Sequence, residues 1–256
     1  MTGQQQPSKL TFREAAQSLW PKILAAREAF AAAEPPAAMS CRKGCGACCH
    51  SAIISTSSLE AFGLVVAWIG SGQAMDDLAQ RCHTYVNSYL KFRARQGYLP
   101  FSRAARRAFM SERLACPLFI AGSQPFEGHC GFFEQRPLIC TSYHSLSPPE
   151  ACVALDPHDV QSGYLRIGEQ LTEDLRDVER ATFGKSAMGH LPLLLAALLT
   201  QEGMDAFLIV RDPSVDEVSQ DEADISATVT LYAAAGISLH DQDIEDLSRA
   251  QSEEAP

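Results

Sequence analysis

Basic residues are scarce in this chain of 256 residues. Only 21 Lys and Arg stand against 31 Asp and Glu, giving a formal net charge of -10 at pH 7. The broad positive surface that binds a nucleic-acid backbone is therefore missing. Long apolar runs are missing too. The two longest, 61–69 and 191–199, hold nine residues each, against the roughly 20 that a membrane span requires. Residues 1–20 are polar and carry no leader-like apolar stretch. Aromatic residues make up 8% and Trp occurs twice. These absences lead us to expect a cytoplasmic protein with no nucleic-acid partner and no membrane segment.

Hydrophobic residues make up 46% and charged residues 20%, which suffices for a buried core. Most of the chain reads as helix. Thr11 and Glu14 form a capping-box signature, followed by apolar Phe12, Ala16, Leu19, Ile23 and Phe30 at helical spacing. Pro21 is expected to kink or divide this helix. Ser57 and Glu60 form a second capping box ahead of a stripe of Leu59, Phe62, Val66 and Ile69. A third helix is expected from Met75 to Gln96, with Gly97 as its C-terminal cap. Further helices are expected over 101–114, 157–183, 191–201 and 223–235, with a short strand or loop at 207–210. The acidic excess collects at the end: residues 212–256 hold twelve Asp or Glu and one basic residue, Arg249. Two regions follow, a helical domain over 1–211 and a solvated, partly mobile acidic segment over 212–256.

Against this background nine cysteines are unusual. Four of them, Cys41, Cys45, Cys48 and Cys49, lie within nine residues, punctuated by Gly44 and Gly46. Glycines let a chain wrap closely round a centre, and the amides of such a turn form a nest for negative charge. Arg42 and Lys43 add positive charge, which favours thiolate. The second group, Cys116, Cys130, Cys140 and Cys152, occupies or bounds an interval rich in Gly and Pro. A structureless stretch of that length inside a domain is uncommon, so something besides regular hydrogen bonding must order it. A structural thiolate–zinc site contributes about 10–16 kcal/mol, comparable to the whole stability of a domain at about 5–15 kcal/mol.

A reducing cytosol disfavours structural disulfides, and thiols concentrated there bind metal or do redox chemistry. The eight cysteines Cys41, Cys45, Cys48, Cys49, Cys116, Cys130, Cys140 and Cys152 are therefore the candidate metal ligands. Cys82 falls on the apolar stripe of the third helix and is assigned to the core. His50, His129 and His144 lie close to candidate ligands in sequence and are given supporting or surface roles. Glu134, between Cys130 and Cys140, could ligate, and a local contact with Arg136 or a capping contact is the expectation preferred. The fold expected is mainly α, an irregular helical domain with a long Cys-, Gly- and Pro-rich loop region over 38–155 organised around a metal site.

The matching pattern is Cys41-x3-Cys45-x2-Cys48-Cys49, then Cys116-Pro-Leu-Phe, then Cys130-Gly-Phe-Phe-Glu-Gln-Arg136-Pro137-Leu-Ile-Cys140, then Cys152. It resembles the CxxxCxxCC family of cysteine-cluster proteins, described as zinc- or iron-chelating. The resemblance spans about residues 38–155, accounts for every cysteine but Cys82, and departs at Thr141, where members usually carry Arg. It implies metal binding and says little about a reaction. Some members are similar to flagellin lysine methylases, which points to an iron–sulfur cluster. Thiolates select zinc, copper(I) or iron–sulfur over magnesium or calcium, so the cofactor expected is an iron–sulfur cluster or zinc. Two alternatives stand beside a metal-binding protein. One is a cluster-dependent enzyme of methyl or electron transfer, linked to S-adenosylmethionine. The other is a thiol redox switch. The Cys41-x3-Cys45-x2-Cys48 spacing also matches the radical S-adenosylmethionine motif, whose fold needs strands alternating with helices that this sequence does not announce.

Overall fold

In the computed structural model, residues 8–33, 40–41, 44–50, 53–123, 127–154, 162–211 and 218–253 are described. The first helix, α1 (Phe12–Ala31), starts where the sequence places its cap. The Thr11 hydroxyl accepts from the Glu14 N–H at 3.3 Å, and the Glu14 carboxylate accepts from the Thr11 N–H at 2.8 Å. Pro21 does not divide it: one helix runs through the proline. Its missing N–H removes one bond, and Leu19 and Ile23 on either side are buried in the core, which holds the helix in register.

Ten more helices follow among the described residues. They are α2 (Ser58–Gly70), α3 (Met75–Gln96), α4 (Arg103–Met110), α5 (Leu138–Ser142), α6 (Pro149–Ala154), α7 (Ser162–Phe183), α8 (Leu191–Leu198), α9 (Gln201–Leu208), α10 (Gln220–Ala234) and α11 (Asp241–Glu253). Two short antiparallel ribbons accompany them. β1 (Ser55–Ser57) pairs with β4 (Met188–His190), and β2 (Phe119–Ala121) pairs with β3 (Gly128–Cys130) in the register Phe119↔Cys130. The chain is mainly helical, as its periodicity indicates.

α8 is the centre of the packing. Leu191, Leu193, Leu194, Leu195 and Ala197 are buried, and α2, α3, α9 and α10 close around them. The apolar run 191–199 is thus a core helix. Instead of continuing to Gln201, it stops at Leu198. Thr200 then caps α9 by accepting from the Gly203 N–H at 2.9 Å, and the chain bends by 98° between the two helices. The strand or loop anticipated at 207–210 is replaced by the end of α9, after which Ile209 forms an isolated bridge with Lys9. No single helix among the described residues is long and apolar enough to cross a membrane.

α3 runs over the span its pattern indicates, and Gly97 closes it at φ +80°, a left-handed conformation that glycine adopts without strain. Cys82 is 1% exposed on its inner face. The helix expected over 101–114 is confined to α4. The acidic stretch 212–256 carries α10 and α11, and Leu231, Tyr232 and Leu247 belong to the same hydrophobic core as α1, α2 and α8. Two acidic side chains are buried as well, Asp224 against Arg176 and Arg180 and Asp243 against Arg93, so these helices join the helical body.

Candidate metal centre

The two cysteine groups, far apart in sequence, are tied to each other by backbone hydrogen bonds. The Ser40 N–H donates to the Ser145 carbonyl at 2.8 Å. Gly44, at φ +87°, turns the chain so that its carbonyl accepts from the Gly128 N–H at 3.1 Å, and Cys45 bridges Glu127. The Cys116 N–H donates to the Cys49 carbonyl at 2.8 Å. Cys48 and Cys49 lie on a single 3-10 turn, Cys48–His50.

The interval 116–152 is more regular than its Gly and Pro content suggests. It folds into the β2–β3 ribbon, a 3-10 turn at Phe133–Gln135, α5 and the start of α6. Gly128 sits at φ +149° where a Cβ would collide with the Ile120 carbonyl and the Phe119 ring, so the ribbon closes only with glycine there. Two side chains from the helical body pin this interval. Arg27 of α1 donates through Nη1 to the carbonyls of Glu134 (3.0 Å) and Arg136 (2.7 Å), and through Nη2 to that of Gln135. Glu60 of α2, 1% exposed, accepts from the Leu138 N–H at 2.7 Å and the Thr56 hydroxyl at 2.7 Å. Glu60 therefore caps the helix that carries Cys140. The local motif reading made it the return partner of Ser57; Ser57 does cap α2, by accepting from the Glu60 N–H at 3.2 Å, while the carboxyl group turns to α5.

All nine cysteines are free thiols. Backbone amides point at several of the sulfurs. The Ser145 N–H donates to the Cys41 Sγ at 3.2 Å. The Leu118 N–H donates to the Cys116 sulfur and the Phe132 N–H to that of Cys130. Such donors stabilise a charged sulfur. Burial works against them: it pushes the thiols of Cys41, Cys130, Cys140 and Cys152 up and that of Cys116 up to about 12. The sulfurs also oppose one another's ionisation. Cys41 and Cys152 are raised by Cys45 and Cys48, and Cys140 is raised by Cys116, Cys48 and Cys130. Cys48 and Cys49 share a hydrogen bond that pulls Cys48 down and pushes Cys49 up. All eight candidate thiols thus lie within electrostatic reach of at least one other. Cys82 is also held up, by burial first and then by Cys116, inside the hydrophobic core.

Two guanidinium groups face the crowded thiols. Arg136 lowers Cys48, Cys130 and Cys140, and Arg27 acts on Cys130. The Arg136 guanidinium lies over the Phe133 ring at 4.0 Å, which is its described neighbour in place of Glu134. The Nε atoms of both arginines are buried without a hydrogen-bond partner. Of the histidines, His50 packs edge-on against Phe119 at 4.5 Å, His144 packs on Tyr164 at 5.2 Å, and His129 is exposed on β3.

Among the described residues, no three His, Cys, Asp or Glu side chains are already arranged to hold a metal ion. The thiols are gathered without being closed on a centre. Their chemistry nonetheless fits a soft metal: eight sulfurs, several served by amide donors, repel one another once ionised, and a cation among them relieves that repulsion. Four thiolates round a dication would leave two negative charges, which Arg27 and Arg136 would balance. Elsewhere, a cavity of about 20 Å³ lined by Ser58, Glu179 and Lys185 has room for about one water. No family model matches the chain, no curated protein matches it, and no solved structure matches it.

Proposed function

We propose that this is a cysteine-rich metal-binding protein whose thiolates hold an iron–sulfur cluster or zinc. The observation that carries the reading is the stitching of residues 40–49 to 116–145 by main-chain hydrogen bonds, which brings the two cysteine-bearing stretches together beside Arg27 and Arg136. Ionising that many desolvated sulfurs is unfavourable unless a cation compensates their charge. The resemblance to the CxxxCxxCC family points to the same chemistry. Bound metal would supply the cross-link that orders the interval 116–152, with Cys41, Cys45, Cys48, Cys49, Cys116, Cys130, Cys140 and Cys152 as ligands.

One observation favours a second reading, a thiol redox switch. Cys48 is exposed, and a hydrogen bond with Cys49 holds its thiol below the ordinary thiol range, which favours the reactive thiolate. A single preparation separates the two. The protein is purified without oxygen, analysed for zinc, iron and sulfide, and its visible absorption recorded. The metal-binding reading expects stoichiometric zinc with no colour, or iron and sulfide with a broad brown band. Metal-free protein whose thiols cycle to disulfides would replace it with the switch.

A further inference from the structure

Away from the cysteines, the first turn of α2 rests on another buried carboxyl group. Glu179 of α7 is 2% exposed. One of its oxygens faces the Ser58 hydroxyl, and the other faces the Ser186 hydroxyl at 2.7 Å. Among the described residues no cation is bonded to it. The nearby arginines are spent on Asp224 of α10, whose carboxylate accepts from Arg176 at 3.2 Å and Arg180 at 2.9 Å, besides the Ser186 N–H at 2.8 Å. Glu60, on the same helix as Ser58, turns its carboxyl group to Thr56 and Leu138. A buried carboxyl group without an ion pair holds its proton more tightly. Ser58 suits that form: its oxygen can accept from the carboxyl group while its own hydrogen turns to the Ala187 carbonyl at 3.3 Å. Burial accordingly pushes Glu179 up to about 7.

A cation stands ready across a small space. The cavity of about 20 Å³ is lined by Ser58, Glu179, Lys185 and Ala206, with Phe207 of α9 and Leu231 of α10 as apolar walls. Space for one water is space for one ammonium group. The Lys185 Nζ donates to the Ala206 carbonyl at 2.7 Å. Burial lowers this ammonium and the charge of Glu179 raises it, so the two side chains act on each other. Ala206 lies in the last turn of α9, where carbonyls lack helical partners and a cation is favourable. The same turn holds the N-terminal segment. The Leu10 N–H donates to the Leu208 carbonyl at 3.1 Å, the Val210 N–H donates to the Ser8 carbonyl at 2.9 Å, and Lys9 pairs with Asp205 at 2.6 Å.

We propose that Lys185 is a two-position latch governed by the proton on Glu179. With Glu179 protonated, Lys185 closes the end of α9 through the Ala206 carbonyl. When Glu179 gives up its proton to solvent, the ammonium group crosses the cavity to the carboxylate and leaves Ala206. The last turn of α9 and residues 8–10 then loosen together. The latch stands apart from the metal-binding reading, since none of its groups is a candidate ligand.

The test follows the isotopically labelled full chain by NMR from about pH 5 to 9, a range that spans the shifted carboxyl group. Three signals are read: the Glu179 carboxyl carbon, the Lys185 side chain, and the exchange protection of the Leu10 and Val210 amides, corrected for the intrinsic rate. The latch expects one midpoint shared by Glu179 and Lys185, with protection at both amides falling several-fold as pH rises through it. Glu179→Gln fixes the neutral form and should keep the high protection at every pH. Lys185→Met removes the ammonium: Glu179 should then titrate at higher pH, and the two amides should show low protection with no step. Where Glu179→Gln fails to fold, the wild type and Lys185→Met carry the test. A Glu179 titration that leaves Lys185 and both amides unmoved overturns the latch. So does a step that persists in Glu179→Gln, or a Glu179 carboxyl group that stays in one form across the whole range.

Discussion

The Glu60 carboxyl group is where the helical body holds the cysteine-bearing interval, and its substitution has a calculable effect. One oxygen accepts from the Leu138 N–H at 2.7 Å and the other from the Thr56 hydroxyl at 2.7 Å, in a site 1% exposed. Glu60→Ala removes both acceptors and leaves a small void. Stranding a buried donor costs about 1–3 kcal/mol, so the sum is about 3–5 kcal/mol against a total of about 5–15 kcal/mol. Glu60→Gln should behave differently. Its carboxamide oxygen can face the Leu138 N–H, and its NH2 can face Thr56, whose hydroxyl rotates to accept. The expected loss is about 1 kcal/mol. Urea unfolding of the three proteins gives the stabilities, and hydrogen exchange at the Leu138 amide reports the cap itself. In Glu60→Ala that amide should exchange far faster, and metal release should accelerate because α5 carries Cys140. Glu60→Ala within about 1 kcal/mol of wild type, or Glu60→Gln as damaging as Glu60→Ala, would refute the assignment of Glu60 as the tie.

Three further outcomes are expected. Cys82→Ala should keep full metal content and lose about 1–2 kcal/mol, since it removes one buried sulfur from the core; metal analysis and urea unfolding check both halves. Gly168→Ala places a Cβ against the Ser142 side chain and 3.1 Å from the Leu138 carbonyl, at the contact of α7 with α5. It should cost about 1–3 kcal/mol and raise the rate of metal release. Glu179 is buried beneath Ser58 and Ser186, and burial pushes its carboxyl up to about 7 from an ordinary 4.5. The native state therefore keeps this proton to higher pH than the unfolded chain does. Its contribution is fully present below pH 4.5 and is lost as pH rises to about 7, by roughly 3 kcal/mol. Glu179→Gln should flatten that slope in denaturation curves recorded across the window.

Features that depend on nearby residues were legible in the sequence. The Thr11–Glu14 capping box, the glycine stop at Gly97 and the inward face bearing Cys82 all lie within a turn or two of the residues that announce them. The two cysteine-bearing stretches are joined by main-chain bonds between Ser40 and Ser145, Gly44 and Gly128, and Cys49 and Cys116, pairings that no local signal in the sequence specifies. What escaped is set by tertiary partners. Glu60 has the spacing of a local cap, yet its carboxyl group accepts from Leu138, 78 residues on. Arg27 looks like any helical surface cation, and nothing local announces that three carbonyls of residues 134–136 receive its guanidinium. The run 191–199 reads as one helix extending to Gln201, because the cap at Thr200 becomes decisive only when Gly203 lets α9 approach Ala197. Pro21 shows the reverse: a local breaker outweighed by burial of Leu19 and Ile23.

The metal-edge X-ray absorption spectrum of the protein purified without oxygen tests the central claim most directly. A first shell of sulfur alone, with metal–sulfur distances near 2.3 Å and about four sulfurs per metal, is the predicted result. A shell dominated by nitrogen or oxygen, or a protein that carries no metal at all, would contradict it.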